Sequence, residues 1–507
     1  MQRPECASRL ENPSSISSSS QHQGPDCFFT AEVRAIYNDT EMANPGCPSD
    51  ALKIDGKEMT MSIRVNAVEH FENFVCYARL PQNINSIELE GHKLPVPKWD
   101  IGKVAVIGDS GCRQGPDHGG LYQSCLNPSL WPFTRVSQSV YESKPDLVVH
   151  MGDYIYREGP CTTFTNKDGE EDEIAGCKDA PYYSKKVEPQ VPENFGVWQA
   201  DWFEPSKYFN RVAPLILIRG NHEACKRAGI GYFRYLHHGP ETACVDSLTD
   251  PIGTATQQWI VDFKDFQVGI TDTSTPPKDN TAQEYANQLN LLGHYFEANK
   301  KPALFGTHYA SYGWGTEEGS DNIGTQGIHE STFDASKLTD WGRMPSSFDM
   351  LLGSHIHLSS ITSFEDGPDG LRNPPQVVIG NSGAQLVALS EPPSDIFGVL
   401  VRQTEVMYQY GYLILTQMEV KGGKSGKSSK NVSMSKMNDS TSPKALRNGR
   451  TKNLFSGSGK SQGSWLLEFK DEVGRNMVTC NLDFIDTECT DLGFKPWLDD
   501  EDLDERA

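Results

Sequence analysis

The chain lacks any long apolar run: in 507 residues no stretch approaches the roughly 20 apolar residues that a bilayer helix needs. That excludes a helical membrane span. It also lacks a positive balance. The formal net charge of −22 excludes a protein that wraps nucleic acid by neutralising phosphates. A phosphate substrate stays open, because bound cations reverse the local potential. The opening Met1-Gln-Arg-Pro-Glu-Cys-Ala-Ser has no apolar core of the secretion-signal type. The 12 cysteines contain no C-x-x-C pair, which disfavours a structural zinc site. They fall largely into sequence neighbours: Cys27 with Cys47, Cys112 with Cys125, Cys161 with Cys177, Cys225 with Cys244, and Cys480 with Cys489. This predicts a disulfide set and an oxidising compartment, as do glycosylation sequons at Asn38, Asn431 and Asn438. The cysteines outweigh the missing leader. The expectation is an extracellular, vacuolar or lysosomal lumenal glycoprotein whose natural amino terminus extends beyond Met1, with a reduced cytoplasmic protein as the minority reading.

What is present falls into six stretches. Residues 1–26, rich in Ser, Gln and Pro, are expected to be disordered. Residues 27–98 show alternating apolar positions over Met59–Val65, with Phe74–Tyr77 and Ile87–Leu89, and predict short antiparallel strands in a small β-rich domain. Residues 99–420 form the central domain. There Phe133, Val136, Val140 and Tyr141 mark the face of a helix ending before Lys144-Pro145, and Tyr285, Leu289, Leu292 and Phe296 mark a second before Lys301-Pro302. Trp259–Phe263 and Phe266–Ile270 read as a hairpin, and Val377-Val-Ile379 as a strand entering a glycine turn. Residues 421–463, built of Gly, Ser, Asn and Lys, are expected to be a disordered insertion between paired strands at Tyr412–Leu415 and Trp465–Phe469. Residues 464–490 then close the central domain, and 491–507 are an acidic tail.

Five segments share one plan: an apolar strand that delivers a polar side chain at a turn. They are Lys103-Val-Ala-Val-Ile-Gly-Asp-Ser-Gly111, Leu147-Val-Val-His-Met-Gly-Asp-Tyr-Ile-Tyr156, Leu215-Ile-Leu-Ile-Arg-Gly-Asn-His-Glu223, Ala303-Leu-Phe-Gly-Thr-His308 and Met350-Leu-Leu-Gly-Ser-His-Ile-His357. A packed sheet would align these ends along one edge, where ligands of open α/β sheets bind. Asp109, Asp153, Tyr156, Asn221, His308, His355 and His357 supply enough oxygen and nitrogen donors for two metal ions, provided a carboxylate bridges. Asp153, with two oxygens, is the natural bridge. Two metals about 3.5 to 4 Å apart clamp an in-line displacement at phosphorus and bring a bound water toward a pKa near ~7, so phosphate-ester hydrolysis is the chemistry expected.

In this order the five blocks resemble the calcineurin-like metallophosphoesterases, and within them the purple acid phosphatases. The family's D-x-G is similar to Asp109-Ser-Gly111, its G-D-x-x-Y to Gly152-Asp-Tyr-Ile-Tyr156, and its G-N-H-[DE] to Gly220-Asn-His-Glu223. Gly306-Thr-His308 and Ser354-His-Ile-His357 match the two histidine blocks. The resemblance implies an α/β (α+β) fold, a four-layer αββα sandwich of two mixed sheets flanked by helices, with the small β domain before it. It implies one metal on Asp109, Asp153, Tyr156 and His357, and another on Asp153, Asn221, His308 and His355. The broad superfamily carries a histidine where this chain has Gly111, and the purple branch uses a tyrosine in the place of Tyr156. Phenolate ligation favours iron at that site, with iron, zinc or manganese at the second.

His222 is implied as proton donor to the leaving group, a role suited to a pKa near ~6.5; the alternative is a histidine that only orients Asn221 or Asp109. Arg113 and His118 are candidate substrate contacts, where a cation would hold a non-bridging phosphate oxygen, against the plain reading of a surface pair. His329, His237 and His238 read as solvated or capping, His150 as a core histidine, and Tyr154 as a packing residue. Ser354, in place of the family glycine, requires a negative φ. The expected reaction is hydrolysis of a small phosphate monoester by hydroxide held at a dinuclear centre, with neither nucleic acid nor membrane as partner and no oligomeric state set by the sequence. The rivals are a phosphodiesterase or nucleotide hydrolase on the same scaffold, and a non-catalytic binding protein that keeps the fold, against which the full ligand set argues.

Overall fold

The computed structural model describes residues 31–38, 46–68, 70–113, 123–157, 164–165, 171–172, 193–225, 227–239, 244, 256, 258–274, 282–316, 323–324, 334–387, 393–418, 464–482 and 487–491. The segment 1–26, the insertion 421–463, nearly all of the tail, His118, His329 and the Cys161 and Cys177 pair lie outside the described residues.

Two sheets face each other. The first has seven strands in the order Leu215–Leu217, Leu147–His150, Lys103–Ile107, Gly411–Met418, Ser464–Asp471, Asn476–Leu482, Thr487–Asp491. Its first three strands run parallel and the rest antiparallel. The second has eight, in the order Trp259–Asp262, Gln267–Ile270, Ala303–Tyr309, Met350–Ser354, Gln376–Ile379, Ser359–Phe364, Val399–Met407, Asp395–Ile396. A parallel run from Gln267–Ile270 to Gln376–Ile379 forms its centre.

Strand periodicity sets the layers, because successive side chains alternate between faces. Val104, Val106, Leu304, Met350 and Leu352 fill the seam between the sheets. Ala105, Ile107 and Val148 turn outward onto Phe133, Val136 and Val140 of the helix Phe133–Ser143. Phe305 and Leu351 turn outward onto Tyr285, Leu289, Leu292 and Phe296 of the helix Ala282–Asn299. The result is the αββα sandwich, with both faces of each sheet's centre covered, as parallel strands require. Both helices end on a lysine in left-handed conformation, Lys144 at φ 50° and Lys300 at φ 59°, ahead of prolines that cannot continue a helix. Tyr141 departs from the expected helical face: it is exposed, since the buried stripe runs through Ser137 and Ser139 instead.

Ahead of the sandwich lie a three-stranded sheet (Glu32–Asn38, Asn73–Arg79, Ser62–Val65) and a four-stranded one (Lys57–Glu58, Leu52–Ile54, Ile87–Leu89, His92–Leu94). Val33, Leu52, Ile54, Phe74 and Ile87 form their shared core. The guanidinium of Arg34 donates to the carbonyls of Tyr235 at 2.7 Å and His237 at 2.5 Å, and that of Arg64 to Phe233 at 3.0 Å and His237 at 2.8 Å. These bonds fasten this part to the segment that follows the third motif.

Four disulfides join Cys47–Cys76, Cys112–Cys125, Cys225–Cys244 and Cys480–Cys489, and among the described residues no cysteine is free. Three pairs are sequence neighbours as expected. Cys47 is the exception: its partner is Cys76, not Cys27. Cys76 lies mid-strand in Asn73–Arg79, facing the small core, and the fold brings the Cα atoms of the pair to 5.7 Å across 29 residues of sequence. No helix among the described residues is long and apolar enough to cross a membrane.

Candidate metal centre

The five motif ends do not share one sheet edge, as a single packed sheet would have it. Three belong to the first sheet and two to the second, and they meet across the top of the seam. All seven expected donors converge there. The Tyr156 hydroxyl lies 2.5 Å from Asp109 Oδ1, 2.7 Å from Asp153 Oδ2 and 2.8 Å from His357 Nε2. His308 Nε2 lies 3.1 Å from Asp153 Oδ2 and 2.9 Å from Asn221 Oδ1, which is in turn 2.9 Å from His355 Nδ1. Contacts of 3.1 Å or less thus link all seven. Donor atoms of Asp153, His308 and His355 also lie within 4.8 Å of one another.

The backbone is bent to achieve this. Asp109, Asp153 and His355 have φ of 51°, 60° and 71°, a left-handed region that costs non-glycine residues energy and persists where surrounding structure enforces it. Ser354 keeps a negative φ, as its replacement of glycine requires, and its hydroxyl lies within hydrogen-bond reach of Asp109 Oδ2 and the Ile379 carbonyl.

Proton counting shows what the cluster is built for. His308 Nδ1 faces the Met151 carbonyl at 2.8 Å, and His357 Nδ1 faces that of Gln385 at 2.7 Å. Each Nδ1–H donates outward, so in the neutral ring the bare Nε2 points at oxygen. Tyr156 has one proton for two buried carboxylates. Lone pairs aimed at one another call for cations between them. Burial works against charge on His308, but Asp153 beside it outweighs burial and lifts its pKa to about 9. Burial also opposes charge on Asp153, and the imidazoles of His308 and His222 overcome it, holding the carboxyl well below its usual range. Burial first, then Asp109 and Asp153, push the Tyr156 phenol well above its usual value.

Sequence reasoning missed the residue that holds this geometry. Glu223, fully buried, accepts backbone N–H bonds from Tyr154 at 2.8 Å, Asp153 at 3.0 Å, Gly220 at 3.1 Å and Ile155 at 3.2 Å. The signal was its place in the third motif, a carboxylate directly after Asn221 and His222. Two glycines are sterically required. A Cβ on Gly220 would collide with the Asp153 carboxylate, and one on Gly111 would lie 2.6 Å from the Tyr154 carbonyl oxygen.

His222 is buried, its backbone N–H donates to Asp153 Oδ1 at 2.9 Å, and its ring packs on that of Tyr156 with centroids 3.9 Å apart. Arg113 is buried beside the Cys112–Cys125 disulfide, its backbone N–H on Gln123 Oε1, so it is not a surface arginine. His150 is a buried core histidine, 2.8 Å from Ser110 Oγ and stacked on Tyr154, which packs as expected and donates its hydroxyl to Ile218. His237 departs from the solvated reading: it is buried, and its carbonyl accepts from the guanidiniums of Arg34 and Arg64.

The model of the calcineurin-like phosphoesterase family matches residues 102–359. Among solved structures, a purple acid phosphatase from yellow lupin (Lupinus luteus) seeds is similar at 12% identity and a TM-score of 0.47, over 89% of this chain and 72% of that one. PhoD is similar at 12% identity and a TM-score of 0.41, over 83% and 78%. No curated protein matches the chain. The family match spans half of the sequence and contains every donor of the cluster, and this protein belongs to the calcineurin-like phosphoesterases, metal-binding hydrolases of phosphoesters.

Proposed function

We propose that the chain hydrolyses phosphate monoesters at a dinuclear centre of the purple acid phosphatase kind. The supporting observation is the inward convergence of a phenol, two carboxylates, an amide oxygen and three imidazoles. Asp109, Asp153, Tyr156 and His357 would hold one ion, and Asp153, Asn221, His308 and His355 the other. When bound, such a pair polarises phosphoryl oxygens and brings a water's pKa near ~7. The chain's own residues do the rest. The Met151 and Gln385 carbonyls fix the tautomers of His308 and His357. Glu223 locks the Asp153 turn. His222, with Nε2 3.9 Å from Asp153 Oδ2, would give a proton to the departing alcohol.

Gly111 supports the tyrosine-bearing branch: a side chain there would run into the Tyr154 carbonyl, so a histidine at that position has no room, and Tyr156 fills the gap. The branch reading carries iron at the tyrosine site, with iron, zinc or manganese at the second. The four disulfides support an oxidising compartment, extracellular or lumenal. Metal analysis with a visible spectrum tests the centre. A charge-transfer band that Tyr156→Phe removes is the expected result, and a colourless enzyme holding zinc or manganese alone refutes the branch. Hydrolysis of an aryl diester faster than the matching monoester refutes the substrate class.

A further inference from the structure

We propose that Arg227 is a specificity-determining residue, its guanidinium taking the non-bridging oxygens of the monoester's dianionic phosphate beside His222. This deepens the monoesterase reading above and rests on it. One terminal nitrogen of Arg227 lies 2.8 Å from Nδ1 and 3.0 Å from Nε2 of His222. That imidazole leans on Tyr156 and sits 3.9 Å from Asp153 Oδ2, so the guanidinium stands one ring away from the donor cluster. Arg227 is half-buried, on the side of the cluster that carries the proposed proton donor.

The chemistry favours a change of partner. A guanidinium can only donate, and an imidazole nitrogen offers it one neutral lone pair. A phosphate dianion offers charged oxygens in the planar spacing the guanidinium fork matches. An arriving monoester thus displaces His222 as the acceptor and leaves the imidazole facing the leaving group. The loop is already set for this. Arg227 N–H donates to the Ala224 carbonyl at 2.8 Å and Ala228 N–H to that of His222 at 2.9 Å. The Cys225–Cys244 disulfide staples the turn, and Gly229 passes so close that a Cβ would lie 2.6 Å from Cys244 Sγ. A diester carries one negative charge fewer at phosphorus and draws less from the contact.

The test compares the full-length, metal-loaded protein with Arg227→Gln and Arg227→Lys. It measures kcat and KM for an aryl monoester and the matching diester, direct calorimetric binding of inorganic phosphate, metal content and melting temperature. Arg227→Gln is expected to raise the monoester KM and the phosphate dissociation constant about 10- to 100-fold, the span of a lost charged hydrogen bond. Metal content stays and the diester KM moves far less, while Arg227→Lys recovers part of the loss. Unchanged phosphate affinity in Arg227→Gln with metals retained overturns the proposal, as does equal loss on both esters. If Arg227→Gln does not fold, Arg227→Lys is read alone: phosphate binding equal to wild type overturns the proposal and a weakened one supports it. A wild-type protein that cleaves neither ester refutes the monoesterase reading only, since phosphate calorimetry still decides whether Arg227 holds the anion.

Discussion

Two groups of buried histidines sit within one molecule and have opposite fates. His308 is surrounded by carboxylate, and Asp153 outweighs burial to raise its pKa to about 9. His237 is as deeply enclosed but lies beside the guanidiniums of Arg64 and Arg34: burial, then His238, Arg64 and Arg34, drive it down to about 2, and the half-buried His238 follows to about 3. Burial penalises charge in both places, and the sign of the neighbours decides the outcome. The first group aims its nitrogens inward at other donors. The second packs: His238 stacks on Trp259 at 4.2 Å, and His237 Nδ1 meets no hydrogen-bond partner among the described residues. A buried histidine is thus a candidate ligand only when oxygen atoms face its bare nitrogen.

The severest way to break this contrast is to remove the carboxylate on which it rests. Asp153→Asn is expected to lower turnover by about 10³-fold or more and to strip metal from both positions, read by elemental analysis of the purified variant. His222→Ala keeps the seven donors, so metals stay bound while kcat falls by about 10²-fold or more. Full turnover with both metals in place would reduce His222 to an orienting role. Glu223→Gln leaves one acceptor oxygen where the carboxylate serves four N–H groups, and metal affinity should drop about 10- to 100-fold at little cost to the sheets, as competition with a chelator would show.

The mildest change sharpens the contrast from the other side. Because the folded-state pKa values of His237 and His238 are depressed, the stability they contribute is present above their unfolded pKa near ~6.5 and is lost as pH falls toward 2 to 3. His237→Phe is expected to flatten the acid side of the melting-temperature profile by a few degrees and to leave turnover untouched. A profile that keeps its slope would place the acid sensitivity elsewhere.

The donor residues were legible in the sequence because each motif couples an apolar strand to a polar turn within about ten residues. Local pattern is enough to place Asp109, Asp153, Tyr156, Asn221, His308, His355 and His357. The helices over 133–143 and 282–299 were legible for the same reason. What escaped depends on distance along the chain. The division of the five strand ends between two sheets follows from strand order, which no local pattern encodes. The Cys47–Cys76 bridge follows from strand pairing, not proximity. The strand Val399–Met407 alternates weakly because Arg402, Gln403, Thr404 and Glu405 interrupt its apolar positions. Glu223 and Arg227 escaped because what singles them out is what they touch: backbone amides from another strand end, and the His222 imidazole one turn away.

Three of the seven donors, Asp109, Asp153 and His355, sit on left-handed backbone, where glycine would rest more easily. A descendant that gave up its chemistry could place glycine at these points and gain heat resistance by doing so. Decay of function and gain of robustness would then arrive together in the same molecule. Two aspartates and a histidine occupy these positions here, at the donor cluster and nowhere near a free turn.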